Sequence, residues 1–202
     1  AIEEASDDPQ AIEYFTGRLR RESQRLSALV RDIIELSRLQ SADVIARGTL
    51  VSTDALVNEA LDRNRLAAEA KSIVLQAQVH YSGELYADPE LLGTALHNLV
   101  ENAVRYSPEK TRVDLLVERE GDTLNISVTD QGAGIPEEEQ ARIFERFYRV
   151  DAARSRQTGG TGLGLSIVKH VMGQHGGQVS VQSVPGQGST FTLSLPIADT
   201  AV

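Results

Sequence analysis

Residues 97–108 read HNLVENAVRYSP, two asparagines four residues apart in a largely apolar run, with an arginine three residues further on. At 100° per residue, Asn98, Asn102 and Arg105 fall within about 60° of one another on a helix. Asparagine is a poor helix former and costs free energy when buried without partners. The pattern predicts a helix that buries one face, through Leu92, Ala95, Leu96, Leu99 and Ala103, and presents two amides and a guanidinium on another. An amide oxygen is a neutral, hard ligand, and Mg²⁺ on a nucleotide needs only one or two protein oxygens beside phosphates and water. Arg105 can neutralise phosphate through directed hydrogen bonds. A single asparagine would more simply satisfy neighbouring backbone groups; the pair with an arginine gains its meaning from the rest of the chain. His97 lies about 100° from Asn98, away from the apolar stripe, and reads as structural.

Two glycine-bearing stretches supply that context. DQGAGIP (residues 130–136) follows an alternating segment, which places Asp130 at a strand end with Gly132, Gly134 and Ile135 just beyond. A carboxylate there can accept from the exocyclic amine of a base, and the glycines permit close backbone approach. Taken alone, the stretch could be a turn. GGTGLGLS (residues 159–166) runs into a predicted helix whose free amides and dipole suit a phosphate chain. It lacks the Gly-Lys-Ser/Thr of a Walker loop and the spacing of a dinucleotide fingerprint, so alone it is weak.

The elements that must position these residues are legible as a mixed α/β region behind a long helix. From about residue 8 to 41, heptad positions hold Ile12, Phe15, Leu19, Glu22, Leu26, Leu29, Ile33 and Leu36, a narrow apolar seam broken once. Such a seam favours a bundle or coiled coil over an ordinary surface helix. Asp8-Pro9 supplies a cap and a first-position proline. After DVIARG, the pattern predicts strands at 49–51, 73–79 and 84–86 and a helix over 53–70. A second helix starts at Asp88-Pro89-Glu90 and runs through the asparagine stretch. TRVDLLVE and TLNISVTD, joined by REGD, form a hairpin. Residues 130–162 read as irregular, followed by a helix over 163–174 and strands at 178–182 and 190–195.

Composition narrows the classes. With 202 residues, 41% hydrophobic and 24% charged, the chain can bury a core in one compact domain plus an extra element. The absence of cysteine excludes disulfides and thiolate metal sites. A formal charge of −9 argues against nucleic acid as a partner. No apolar run approaches the ~20 residues of a membrane span, so no membrane contact is expected of this segment.

In this order, HNLVENAVRYSP, DQGAGIP, FERFYR, GGTGLGLS and GQGSTF resemble the N, first-glycine, F, second-glycine and third-glycine boxes of two-component sensor histidine kinases. The ATP-binding domain of that family shares the fold of the gyrase, Hsp90 and MutL ATPases. The resemblance covers about residues 49–197. The run FERFYRVDAARSRQTGGTGLGLSIVKH is similar to actinobacterial kinases of the phosphate-responsive type. The fold it implies is α/β, a two-layer (Bergerat-type) sandwich of a mixed sheet and about three helices behind a bundle helix. Residues 1–42 would be part of the dimerisation and phosphotransfer hairpin (the tail of its first helix, a loop and its second helix). Residues 43–48 would be a linker and 49–202 the catalytic domain.

By the same resemblance the cofactors are ATP and Mg²⁺. Asn102 would ligate the metal, Asn98 would lie near metal and phosphate, and Arg105 would contact phosphate. Tyr106 would flank the base and Asp130 would read adenine. Gly132, Gly134, Ile135, Gly160, Thr161, Gly162, Leu163 and Gly164 would line the pocket. Residues from about 137 to 161 would form a lid anchored by Phe144 and Phe147, with Arg149 reaching the γ-phosphate. The related ATPases carry a water-activating glutamate where Asn98 stands, and an amide cannot serve as general base near neutral pH. None of the four histidines sits in the family's H-E-L-R/K-T-P context. The expectation is therefore a chain that binds Mg²⁺-ATP without phosphorylating itself, its phosphoacceptor segment lying outside the sequence. Expected partners are a response regulator and a second copy, through the helix of residues 10–41. The expected location is cytoplasmic, with the full-length protein membrane-anchored. Two alternatives are a serine kinase of the anti-sigma-factor type and a non-catalytic interaction module. The bundle helix and Asn98 disfavour the first, and the intact pocket residues disfavour the second.

Overall fold

The computed structural model describes residues 9–41, 48–150 and 160–197. Helix α1 spans Pro9–Ser41. Strand β1 (Thr49–Ser52) leads directly into α2 (Thr53–Ala70), capped by Ser52, whose Oγ accepts from the Ala55 amide. Strands β2 (Val74–Val79) and β3 (Glu84–Ala87) follow. Helix α3 (Pro89–Tyr106) starts as its sequence dictates: the Asp88 carboxylate accepts from the amides of Glu90 and Leu91, and proline fills the first turn. The hairpin β4 (Arg112–Glu120) and β5 (Thr123–Asp130) comes next. After a short α4 (Glu137–Gln140) and a 3₁₀ turn (Arg142–Phe144), the chain enters α5 (Gly164–Gln174), β6 (Gln178–Val184) and β7 (Gly188–Pro196).

The main sheet has the order β2-β4-β5-β7-β6, with β2 parallel to β4 and the other neighbours antiparallel. Strands β1 and β3 form a separate antiparallel pair. Alternation assigns the sheet's two faces. Val113, Leu115 and Val117 of β4, Leu124, Ile126 and Val128 of β5, and Phe191, Leu193 and Leu195 of β7 are all buried. They pack with Leu92, Leu96 and Leu99 of α3 and Ile167, Val168, Val171 and Met172 of α5. Each such side chain contributes about 1.5–3 kcal/mol on full burial. The opposite face is polar, with cross-strand pairs Ser127–Thr192 and Thr129–Thr190 joined hydroxyl to hydroxyl at 2.9 Å. The expected two-layer sandwich results.

Register matters to the site. Asp130 shares the parity of Leu124, Ile126 and Val128, so the alternation that builds the core also turns this carboxylate inward at the strand end. The sixth and seventh strands are longer than expected, because their ladder continues to Val184↔Gly188. The stretch expected to be irregular contains α4, where three glutamates occupy the first turn and suit the helix dipole. It is too short to show a periodicity. Residues 1–8, most of the expected linker and lid residues 151–159 lie outside the described residues. Helix α1 touches α5 and leaves Leu19, Leu26 and Ile33 of its seam about half exposed.

Candidate nucleotide-binding site

Helix α3 presents Asn98, Glu101, Asn102 and Arg105 on one half-buried face, while its buried stripe is the one the spacing predicted. Asn98 Nδ2 donates to the Thr94 carbonyl at 3.0 Å, which fixes the amide. Its Oδ1 faces the first residue of α5, where a Cβ added at Gly164 would stand 2.8 Å away. The same Cβ would lie 3.9 Å from Asn102 Nδ2. At the other end of the segment, a Cβ at Gly160 would lie 3.3 Å from Arg105 Nη1 and 3.5 Å from Tyr106 Oη. The glycine stretch therefore runs along α3 from Arg105 and Tyr106 up to the asparagines. Arg105 Nη2 also meets Glu101 Oε1 at 2.5 Å, one turn earlier on the same helix.

Asp130 is buried, and its Oδ1 accepts the Gly132 amide at 2.7 Å. Burial pushes its carboxyl above the usual range, against the pull of the Gly132 and Ser189 amides. Gly132 lies against the Tyr106 carbonyl, so the aspartate loop meets the C-terminal turn of α3. That loop is braced from behind. Ile135 donates to Ser183 Oγ at 2.8 Å, Gly186 donates to the Ala133 carbonyl at 2.7 Å, and Gln140 Nε2 donates to the carbonyls of Ile135 and Ser183. Gly134 has φ +69, and any Cβ there would collide with the Val184 carbonyl. The turn carrying GQGSTF thus braces the aspartate loop.

Segment 160–164 ends in an uncapped helix. Thr161 Oγ1 accepts the Leu163 amide at 3.3 Å, but Leu163 makes no side-chain cap, so the first turn of α5 has no side-chain cap for its amides. The Leu163 side chain is wholly in the core, which leaves only its backbone for the pocket. The two phenylalanines expected to anchor a lid differ. The Phe144 ring packs edge-on against Phe191 at 6.4 Å between centroids. Phe147 is 60% exposed with a left-handed φ of +65, and its amide donates to the Gly162 carbonyl at 2.8 Å. Core packing therefore accounts for Phe144 but not for Phe147, whose backbone rather than ring meets the glycine segment. Arg149 is half-buried.

Two histidines tie elements of the fold together, His97 in the structural role its position predicts. His97 Nδ1 pairs with Asn64 Nδ2 at 3.0 Å between α2 and α3. Burial is the main cause holding its pKa below the usual value, with Arg63 and Arg105 adding to it and Glu101 opposing. His175 Nε2 accepts the Asp88 amide at 3.1 Å while its Nδ1 bonds the Val171 carbonyl at 2.9 Å, tying the end of α5 to the start of α3. Glu101, Ser183 and Lys71 are site neighbours that the sequence did not single out. Glu101 could have been found from its i,i+4 spacing to Arg105; the other two act across long separations.

A mixed sheet backed by three helices, with an asparagine helix, a strand-end aspartate and a glycine-led helix converging at one edge, defines an ATP-binding α/β sandwich. Residues 87–199 match the family described as histidine kinase-, DNA gyrase B-, and HSP90-like ATPase, and the chain belongs to that family. It is homologous to sensor histidine kinases. It is 45% identical over 196 residues to the sensor-like histidine kinase SenX3 of Mycolicibacterium smegmatis, covering 97% of this chain and 51% of that protein. The chain thus spans about half the length of these curated relatives. Full-length ShkA, solved with AMPPNP, is 30% identical with a TM-score of 0.77, over 94% of this chain and 40% of that one. The histidine kinase ThkA, solved with the response regulator protein TrrA, shares the fold at 22% identity and a TM-score of 0.74, over 97% of this chain and 54% of that one. Among the described residues, no helix is long and apolar enough to cross a membrane.

Proposed function

We propose that this chain is the catalytic portion of a sensor histidine kinase, which binds Mg²⁺-ATP and passes the γ-phosphoryl to a histidine of a dimerisation domain. The observation that carries this reading is the convergence of Asn98, Asn102 and Arg105 with the Asp130–Gly132 loop and the 160–164 segment. In this reading Asp130, whose Oδ1 accepts the Gly132 amide, takes the adenine amine, and Tyr106 flanks the base. Gly132, Gly134 and Ile135 shape the base side of the pocket. Gly160, Thr161, Gly162, Leu163 and Gly164 present backbone to the phosphates, with the uncapped amides of α5 behind them.

Among the described residues, no group of three or more acidic, histidine or cysteine side chains gathers to hold a metal. The residues present nonetheless fit a nucleotide-borne Mg²⁺, because Asn98 Oδ1 faces the glycine segment and Asn102 stands beside it. Bound there, Mg²⁺ would supply charge neutralisation for phosphoryl transfer. Arg105 and Arg149 are the arginines assigned to phosphate, and Phe144 and Phe147 anchor the lid. Asn98 offers no base to activate water, which supports transfer over hydrolysis. His97 and His175 are committed to structural bonds, so no self-phosphorylation is expected on either. In the full-length protein, α1 would pair with a second copy through its half-exposed seam, and the phosphoryl group would pass on to a response regulator. The full-length protein would be membrane-anchored with this portion on the cytoplasmic side.

The test is calorimetric titration of a non-hydrolysable ATP analogue with Mg²⁺ into this chain and into Asp130→Asn. Binding that the substitution lowers at least tenfold supports the adenine pocket, and a hairpin fragment bearing a histidine would then be labelled by γ-labelled ATP. Absence of binding to the unaltered chain would overturn the reading.

A further inference from the structure

A cation distant in sequence from HNLVENAVRYSP organises the end of α3. Lys71 follows the last residue of α2 and its amide closes that helix onto the Ala68 carbonyl at 3.0 Å. Its Nζ donates to the carbonyls of Val104 at 2.8 Å, Arg105 at 2.9 Å and Ser107 at 2.7 Å. The C-terminal carbonyls of a helix have no intrahelical partners and carry the negative end of its dipole. Most of them are engaged here. The Ala103 carbonyl accepts from the Ser107 amide at 3.1 Å, Lys71 takes Val104, Arg105 and Ser107, and the Tyr106 carbonyl lies against Gly132. The Lys71 carbonyl in turn accepts the Lys110 amide at 3.0 Å, which ties down the turn after α3.

This last turn of α3 is where the side chains assigned to phosphate and base, Arg105 and Tyr106, leave the backbone. It is also where the aspartate loop abuts the helix. We infer that Lys71 is a positioning residue for the nucleotide site: by holding three carbonyls at once it sets the pitch of the turn that aims Arg105 and Tyr106 and seats Gly132 beside Asp130. Its charge also offsets the negative helix end next to a site meant for a polyanion. The inference rests on the reading of the pocket given above.

The experiment compares the unaltered chain with Lys71→Met, Lys71→Arg and Asn64→Ala, by thermal melting and by calorimetric binding of the ATP analogue with Mg²⁺. Lys71→Met removes all three donors at similar length. Asn64→Ala breaks a buried α2–α3 contact one helical face away from the site, and so reports what destabilisation alone does to binding. The expected result is a Kd about tenfold weaker for Lys71→Met, near-parental for Lys71→Arg, and within threefold of the parent for Asn64→Ala at a comparable loss of melting temperature. A Kd for Lys71→Met within threefold of the parent would overturn the inference while leaving the pocket reading intact. So would equal weakening by Asn64→Ala. If Lys71→Met does not fold, Lys71→Gln replaces it under the same criteria. If the unaltered chain does not bind, both the pocket reading and this inference fall together.

Discussion

Gly164→Ala separates the site from the fold. The backbone at Gly164 does not have a positive φ, so alanine meets no conformational obstacle, and it opens a helix in which alanine is the better former by up to about 1 kcal/mol. The new Cβ, however, would stand 2.8 Å from Asn98 Oδ1. An ordinary carbon–oxygen contact needs roughly half an ångström more, since attraction is optimal near 3.5–4.0 Å. The side chain cannot swing away cheaply, because its Nδ2 is bound to the Thr94 carbonyl at 3.0 Å. Either that bond is lost or α5 shifts outward. Overpacking of this kind costs about 1–3 kcal/mol, which the gain in propensity partly offsets. A net change of at most about 3 kcal/mol moves the melting temperature by no more than ~12 °C in a chain of this size. The Asn98 oxygen, by contrast, is displaced from the position assigned to metal and phosphate. A lost hydrogen bond to a charged partner is worth about 1.5–3 kcal/mol, so the Kd for the Mg²⁺-bound ATP analogue should weaken by about 10- to 150-fold. Calorimetry and differential scanning on the same sample read both quantities. A folded Gly164→Ala chain that binds within threefold of the parent would refute the argument that Asn98 and α5 form one phosphate-facing unit.

Three further outcomes follow from the same geometry. Glu101→Gln frees Arg105 from its 2.5 Å partner, and because part-exposed i,i+4 pairs are weak, nucleotide binding should tighten only about two- to fivefold, with a steeper salt dependence by titration; weaker binding would instead make Glu101 a contributor to the metal site. Burial raises the Asp130 pKa, and a base amine that donates to the ionised carboxylate favours the deprotonated form. Affinity for adenosine, which has no phosphate to titrate, should thus be flat at neutral pH and fall as pH drops through that raised value, beginning above the ordinary carboxylate range; NMR titrations at a series of pH values check this, and a flat profile into the acid range would contradict it. Ser183→Ala removes the acceptor of the Ile135 amide and should cost about 1–3 kcal/mol, seen as a melting temperature lower by roughly 2–12 °C; an unchanged melt would show that the loop is held without it.

Much of the molecule was written into short windows of sequence. The Asp88-Pro89 start of α3, the apolar stripe from Leu92 to Ala103, the alternation of β4 and β5 and the inward parity of Asp130 each depend on residues within a few turns or one strand. Periodicity and capping are local physics, so the asparagine face and the structural role of His97 could be read before any coordinates. Other features needed segments that meet only after folding. That β7 lies between β5 and β6 is a matter of pairing, and it is this pairing that carries Ser183 and Val184 behind the DQGAGIP loop. Lys71 reaches carbonyls 33 to 36 residues away, and no spacing rule joins a helix-end lysine to a second helix's last turn. Phe147 reads as a packing residue by type, yet it stays exposed because its backbone closes on Gly162. Local propensity determines which faces exist. Which faces touch is decided by the free energy of burying them together, and that sum runs over the whole chain.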